Sequence, residues 1–344
     1  MDKQRCLAIL VEKNLAENLR TYLLKQNILR TDLKIKKDNS HIYLPITHLP
    51  KDLQKYTTIK TEFDKHKNIP TSYKQLVSLP ENLTYYLPTS YDIIGDIILL
   101  KLSEGLIPYK KEIGNALLTT HKNCRTVCLS HPVKGEYRTR NISVIAGEHK
   151  TSTIHREYNL FFSVDLAQMY FSPRLAGERN YIAKTVQDGE TIIDLFAGVA
   201  PFSVIIATYA KPKIIYAVDK NPQAIVYANE NIAKNRVLDT VTVICADAKD
   251  IKTFITEKAD RIIMNLPLSS LDFFETGLHL LKEKGVIHYY DILHEDLFTQ
   301  RIQNLKDIAE KNKRSITCSS IRKIKSYAPR EFYIGIDITA TKKG

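Results

Sequence analysis

Hydrophobic and polar positions follow two alternating periods along the C-terminal half of the chain. Short apolar runs with the length of buried strands recur at residues 191–196, 213–219, 241–246, 261–266 and 285–292. Helical patterns such as Pro222–Asn235 lie between them, and Pro222 occupies a position where a first-turn proline is tolerated. A weakly marked strand near 316–324 and a last strand at 331–339 follow without a convincing helix between them. This order predicts an α/β fold with a doubly wound, mostly parallel sheet that ends in a hairpin.

The N-terminal half has the pattern of two small α+β modules. Residues 1–70 contain an apolar strand at 6–11, a helix with leucines at i, i+4 spacing, and strand-like pieces at 33–35 and 41–45. The charged, proline-punctuated stretch 51–80 has the composition of a linker. Residues 71–164 contain an apolar run at 91–100, a helix near 110–120 and several further strands. The predicted domains are therefore 1–70, 71–164 and 165–344.

The charge balance favours a polyanionic partner. Lysine and arginine total 50 against 38 acidic residues, which gives a net charge of +12. A nucleic acid that binds such a surface releases its condensed counterions, which favours binding. The plainer explanation of the positive charge is a surface of well-solvated lysines. The five cysteines are scattered and do not form paired CxxC motifs, so we expect free thiols and no metal site. Without a signal peptide or a long apolar run, we expect a cytoplasmic protein that does not span a membrane.

A candidate cofactor loop follows the first strand of the C-terminal domain. Asp194 ends that strand, and Phe196, Ala197, Gly198 and Val199 lead into the next helix. The small residues leave the backbone open to a ligand, but one glycine without a GxGxxG motif does not provide a pyrophosphate cradle. S-adenosylmethionine has no phosphate and requires none. An ordinary tight turn between strand and helix is the alternative.

Polar side chains also end the next three strands. Asp219, followed by Lys220 and Asn221, ends the second strand and can accept hydrogen bonds from both ribose hydroxyls. Asp247, followed by Ala248, ends the third, where a carboxylate can accept the adenine amine. Asn265 and Pro267 follow the fourth. Each aspartate alone could be a helix N-cap, but their order and spacing together predict an adenosyl-binding site.

The segment before the C-terminal domain, YFSPRLAGER (170–179), predicts a turn and then a helix. Arg174 and Glu178 are four residues apart on that helix, so a weak intrahelical ion pair is one interpretation. Arg138 and Arg140 belong to a basic strand that could simply face solvent.

In combination these motifs resemble the archaeal and eukaryotic tRNA (guanine-37-N1)-methyltransferase family. The resemblance is carried by YFSPRLAGER, DLFAGVAPF, VDKNP and MNLP, and extends to GEYRTRNISVIAG, HREYNLFFSVDL, GVIHYYDIL and KSYAPRE. It covers most of residues 90–344, and residues 1–70 resemble more loosely the domain that contacts the outer corner of tRNA. The fold it implies is a Rossmann-like, seven-stranded methyltransferase sheet preceded by small α+β domains. The family's second loop glycine is Ala200 here, which is small enough to leave cofactor binding intact.

The resemblance also implies roles for individual residues. Glu178 matches the family's general base for guanine N1, and Arg138 matches the arginine that stabilises charge on O6. Tyr170 and Arg174 match residues that shape the cofactor and guanine pockets, and Asn265 with Pro267 matches the motif beside the target base. The implied cofactor is S-adenosylmethionine. The implied partner is tRNA, contacted at its anticodon loop and outer corner by a protein that we expect to be monomeric.

Other functions remain open at this stage. A wyosine-pathway enzyme that transfers the aminocarboxypropyl group of S-adenosylmethionine shares this pattern, as does a bifunctional methyltransferase of wyosine precursors. The intact Ser172-Pro173-Arg174 with Glu178 favours methyl transfer. A non-catalytic RNA-binding protein would be expected to lack Asp219 or Glu178, and a small-molecule methyltransferase does not explain the positive charge and the extra N-terminal modules.

Overall fold

The computed structural model describes residues 3–65, 72–134, 139–319 and 321–344, without the side chains of residues 132–134, 139 and 140. The chain forms two compact units, Met1–Thr71 and Ser72–Gly344. Each unit contains its own cluster of buried apolar side chains. No helix within the described ranges is both long and apolar enough to cross a membrane.

The first unit is a four-stranded antiparallel sheet with one helix. Its elements are β1 (Lys3–Glu12), α1 (Ala16–Lys25), β2 (Lys36–Lys37), β3 (His41–Ile46) and β4 (Thr58–Asp64), and the strand order is β2-β3-β1-β4. Leu19 and Leu23 of α1 are buried as their spacing predicts, whereas Leu15, at the same spacing, lies at the N-cap and is exposed. The linker prediction for 51–80 was wrong for β4, which pairs with β1 along seven residues. The hydrophobic pattern does not reveal β4 because Phe63 is its only buried side chain. Main-chain hydrogen bonds to β1 keep the strand in the sheet.

The second unit begins with a smaller sheet. Its elements are α2 (Glu81–Thr84), β5 (Asp92–Ile94), β6 (Ile97–Leu100), α3 (Lys110–Thr120), β7 (Thr126–Lys134), β8 (Thr139–Gly147), β9 (Ser152–Glu157) and β10 (Leu160–Asp165). Strands β5 to β8 pair in sequence order, and β9 pairs with β10. The apolar run 91–100 forms a hairpin that turns at Gly95. Gly95 has φ +56°, and a Cβ there would lie 2.2 Å from Thr153 Oγ1, so only glycine fits.

The remainder of the second unit is the large sheet with helices on its faces. Its helices are α4 (Ala176–Thr185), α5 (Pro201–Tyr209), α6 (Pro222–Lys234), α7 (Phe274–Leu280) and α8 (Phe298–Lys311). Its strands are β11 (Thr191–Asp194), β12 (Ile214–Asp219), β13 (Val241–Cys245), β14 (Ala259–Met264), β15 (Leu281–His294), β16 (Arg314–Cys318), β17 (Arg322–Ala328) and β18 (Glu331–Lys342). The order is β13-β12-β11-β14-β15-β18-β16, with β17 also paired to β18. The predicted α/β methyltransferase architecture is therefore confirmed.

The sheet has seven strand positions, although eight strands fill them. β16 and β17 pair with successive stretches of the same edge of β18, where Cys318 faces Ile338 and Arg322 faces Gly335. The weak strand pattern near 316–324 reflects this interruption and the exposed edge position. β18 runs antiparallel to β15, whereas β11 to β15 pair in parallel, so the carboxyl ends of β11 to β14 meet at one edge. The predicted terminal hairpin is β17–β18.

Candidate active site

The loop between β11 and α5 has a sharply bent backbone. Gly198 and Ala200 both adopt left-handed conformations, with φ of +55° and +62°. Pro201 begins α5, where it needs no N–H donor. The main-chain N–H of Gly198 donates to Asp219 Oδ2 at 2.7 Å, so β12 fixes the loop that follows β11. A left-handed alanine costs about 1–2 kcal/mol, and Ala200 adopts this conformation in a fully buried position.

A cavity of about 460 Å³ opens beside this loop, within the size range of small-molecule sites. It brings together eleven residues that the sequence predicted for the site: Tyr170, Phe196, Ala197, Gly198, Asp219, Lys220, Asn221, Asp247, Ala248, Asn265 and Pro267. The remaining wall comes from the 169–179 segment, α5 and the loop after β14. It includes residues that the sequence did not single out as site residues: Met169, Phe171, Arg179, Phe202, Lys249, Leu268 and Phe273.

Asp219 lies at the base of the cavity with both carboxylate oxygens anchored. In addition to the Gly198 contact, Oδ1 accepts the N–H of Asn221 at 2.9 Å. Burial raises the pKa of Asp219, and the backbone N–H groups of Asn221 and Gly198 oppose that shift. Each oxygen retains a second lone pair, so the carboxylate can also accept two ribose hydroxyls. The acceptor carboxylate and the aromatic side chains of the cavity wall therefore fit an adenosyl group.

Three predicted cofactor residues lie outside the cavity wall. Asp194 is fully buried beneath the loop, where Ser203 Oγ donates to its Oδ2 at 3.0 Å, and burial raises its pKa to about 7. Val199 is also buried, and its carbonyl accepts Nδ2 of Asn231. Arg174 contacts β5, where its Nε donates to Asp92 Oδ1 at 2.6 Å. Asp194 and Val199 thus support the loop from beneath, and Arg174 joins the 170–179 segment to β5.

Glu178, the predicted base, is buried on α4 behind two tyrosines. Its Oε1 accepts Tyr290 Oη at 3.0 Å and Arg322 Nη2 at 2.7 Å. The Tyr290 and Tyr333 rings lie 6.1 Å apart, and Tyr333 Oη donates to Asn265 Oδ1 on the cavity wall. Glu178 is therefore connected to the cavity through this tyrosine pair and is not itself part of the wall. Arg138 lies outside the described residues.

A buried ion pair that the sequence analysis did not identify forms part of the wall. Arg179 is 1% exposed and forms a bidentate pair with Glu157 of β9, at 2.8 Å and 2.5 Å. It also donates to the Ser172 carbonyl and lies against the rings of Phe171 and Phe202. This pair joins the small β9–β10 sheet to the cofactor cavity. Twenty-two residues separate the partners, so no local pattern identifies them.

Comparison with known proteins places these features in one family. The model of the TRM5/TYW2 methyltransferase domain matches residues 153–317, that of the TYW2 N-terminal domain matches 73–151, and that of the tRNA methyltransferase 5 N-terminal domain matches 8–54. The tRNA (guanine(37)-N(1))-methyltransferase Trm5b of Pyrococcus abyssi is 38% identical over 333 residues, which cover 96% of this chain and 98% of that protein.

Two solved structures extend the comparison. The structure described as the complex of aTrm5 and tRNALeu has a TM-score of 0.82 and 32% identity, covering 97% of this chain and 99% of its own. M. jannaschii TYW2 in complex with AdoMet has a TM-score of 0.57 and 30% identity, covering 74% of this chain and 100% of its own. The chain therefore belongs to the tRNA (guanine-37-N1)-methyltransferase family and is an S-adenosylmethionine-dependent tRNA methyltransferase.

Proposed function

We propose that this enzyme transfers the methyl group of S-adenosylmethionine to N1 of guanosine 37 in tRNA. The observation that carries the proposal is the length of the match. The Pyrococcus Trm5b covers 96% of the chain, and the tRNA methyltransferase 5 N-terminal model matches 8–54, whereas the TYW2 structure covers 74%. Under this proposal the first unit contacts the outer corner of tRNA, and residues 72–164 contact the anticodon region.

The chemistry requires removal of a proton from guanine. N1 is a poor nucleophile until its proton leaves, so a general base must reach it. When bound, S-adenosylmethionine supplies an electrophilic methyl group on its sulfonium. Glu178 is the proposed base: its hydrogen bonds with described residues fall on Oε1, so we assign the proton to Oε2. Arg138 is proposed to stabilise the charge that develops on O6.

The wall of the cavity provides a place for the target base. Asn265 and Pro267 line it beside the tyrosines that lead to Glu178. The proposed roles of Tyr170 and of the Asp219 and Asp247 carboxylates are to hold the cofactor, while Asn265 contacts both the cofactor and the guanine. Catalysis then rests mainly on positioning and charge stabilisation, with the base turned out of its stack.

A groove next to the cavity is suited to the RNA strand, and we call it the tyrosine groove. It is lined by Lys74, Tyr85, Tyr86, Lys101, Ser172, Arg174, Lys325 and Tyr327, among others. Tyr85, Tyr86 and Tyr327 are 90%, 61% and 58% exposed, and nucleotide bases stack well on such rings. Ser172 lines both the groove and the cofactor cavity, so an anticodon loop in the groove brings a nucleotide beside the methyl donor.

A second candidate function has specific support. The TYW2 N-terminal model matches residues 73–151, and TYW2 shares the catalytic domain model. A wyosine-pathway aminocarboxypropyltransferase, or a bifunctional methyltransferase of wyosine precursors, would use the same cofactor cavity. It would transfer a different carbon from the same sulfonium or accept a tricyclic base.

Product analysis separates these candidates. The purified enzyme is incubated with S-adenosylmethionine and an unmodified tRNA transcript carrying G37, and with the matched transcript carrying A37. Nuclease digestion and mass spectrometry of the nucleosides should give 1-methylguanosine from G37 alone. A third tRNA that carries 4-demethylwyosine at position 37 tests the rival: an aminocarboxypropyl adduct on that base would establish the rival function. Methylation that is independent of nucleotide 37 would contradict both.

A further inference from the structure

A glycine separates the two groups that hydrogen-bond to Glu178. Gly335 on β18 lies between β15 and β17, with Tyr290 as its partner on one side and Arg322 on the other. Residues that pair directly across neighbouring strands point to the same face of a sheet. Tyr290, Gly335 and Arg322 therefore share one face, and the middle position has no side chain.

The empty position is filled by the carboxylate of Glu178. A Cβ built on Gly335 would lie 3.2 Å from Glu178 Oε1 and 3.0 Å from Arg322 Nη2. Both distances are tighter than ordinary carbon contacts, so an alanine at this position would displace the ion pair. Because the φ of Gly335 is not in the left-handed region, the requirement for glycine here comes from space and not from backbone strain.

Arg322 is itself fixed from behind. Its Nη1 and Nη2 donate to Asp337 at 2.6 Å and 3.0 Å, and its guanidinium lies 4.3 Å from the ring of Tyr181. Asp337 in turn binds Tyr181 Oη at 2.8 Å and His288 Nδ1 at 2.7 Å. A guanidinium held in this way cannot follow Glu178 if the carboxylate moves, so it defines where Oε1 lies.

We propose that Arg322 is the positioning residue of the catalytic base: anchored by Asp337 and given space by Gly335, it fixes Glu178 Oε1 while Oε2 serves the guanine. This inference rests on the proposed function, because it assumes that Glu178 is the base. The hydrogen bonds to Asp337, Tyr181 and Tyr290 keep the whole set in one arrangement.

Arg322 supplies the positive charge that contacts Glu178. The charged and polar groups around Glu178 are Arg179 and Tyr181 on α4, His288 and Tyr290 on β15, Arg322 on β17, and Tyr333 and Asp337 on β18. Within the described residues, Arg322 is the cation that contacts Glu178, since Arg179 pairs with Glu157. Without Arg322, the carboxylate keeps the hydrogen bond from Tyr290 but loses the contact that fixes its orientation.

The test is the rate of single-turnover methyl transfer with saturating tRNA and cofactor, measured beside the dissociation constants for both. Arg322→Met should lower the rate about tenfold or more while the dissociation constants for S-adenosylmethionine and tRNA remain near those of the parent. Arg322→Lys should restore part of the rate. Gly335→Ala, which keeps the arginine but crowds the pair, should lower the rate in the same way. Lys323→Met, the neighbouring residue whose ammonium contacts Glu295, is the matched control and should retain the parent rate.

An Arg322→Met rate equal to that of the parent, or an Arg322→Lys enzyme no faster than Arg322→Met, would overturn the inference. Binding of S-adenosylmethionine reports whether each variant is folded, and if Arg322→Met does not fold, the lysine and alanine variants decide the question. Failure of the proposed function is distinguishable: the parent enzyme would then make no 1-methylguanosine, or Glu178→Gln would turn over at the parent rate. A parent rate in Arg322→Met combined with an inactive Glu178→Gln removes only the role of Arg322.

Discussion

The main-chain N–H of Gly198 donates a 2.7 Å hydrogen bond to Oδ2 of Asp219, which joins the ends of two neighbouring parallel strands. Asp219, which the sequence predicts to bind the ribose, therefore also holds the loop beside which the cofactor must lie. Asn221, two residues later, caps α6 through its side chain and donates to the Gln168 carbonyl. Loop, acid and helix start therefore form one structural unit.

Removing the Asp219 carboxylate should weaken cofactor binding. Asp219→Ala loses the proposed ribose acceptor and leaves the Gly198 N–H without its partner, so the dissociation constant for S-adenosylmethionine should rise about 10–100-fold. Isothermal titration calorimetry measures this directly. Asp239→Ala, an exposed aspartate just beyond α6, is the control and should bind as the parent does. An unchanged constant for Asp219→Ala would remove it from the cofactor site.

Asp194 should make folding stability depend on pH. Burial raises its pKa from 3.8 to about 7, so the folded chain keeps a proton that the unfolded chain loses at lower pH. Stability from this group therefore falls as pH rises from about 4 to about 7 and is level above that range. Asparagine cannot ionise, so Asp194→Asn does not lose stability in this pH range. Urea unfolding at about pH 5 and about pH 8 should show that the free energy of unfolding of the variant, relative to the parent, is higher at about pH 8. A difference between variant and parent that is the same at both pH values would contradict the assignment.

The tyrosine groove should contribute to tRNA affinity by stacking. Tyr85→Ala and Tyr327→Ala should each weaken tRNA binding by about 1–3 kcal/mol if a base stacks on the ring. Lys101→Ala should reduce the slope of log affinity against log salt by about one. Tyr209→Ala is the control, since this tyrosine is exposed on α5 outside the groove. Filter binding at several salt concentrations measures both quantities, and equal losses in all three tyrosine variants would argue against the groove.

Much of the cofactor site could be predicted because its parts lie at regular positions along the chain. Parallel strands end at one edge of a sheet, so an acid after β12 and polar residues after β13 and β14 must converge, and they do so around the cavity. The α/β alternation of the last domain was equally visible, since buried parallel strands carry long apolar runs.

What the sequence could not reveal depends on pairing between distant segments. β4 has one buried side chain, and its place in the sheet comes from main-chain bonds to β1. The 91–100 run contains enough apolar residues for one strand, yet Gly95 turns it back on itself. Arg322 and Gly335 carry no local signal at all: their relation to Glu178 exists only once β17 and β18 have paired.

The central claim is that Glu178 removes the guanine proton, and single-turnover methylation of G37 transcript by Glu178→Gln tests it most directly. Glutamine keeps the shape but cannot accept the proton, so the rate should fall by about 10²–10⁴-fold while the dissociation constants for S-adenosylmethionine and tRNA remain near those of the parent. Glu310→Gln on the exposed face of α8 should react at the parent rate. A Glu178→Gln enzyme that forms 1-methylguanosine as fast as the parent would contradict the account.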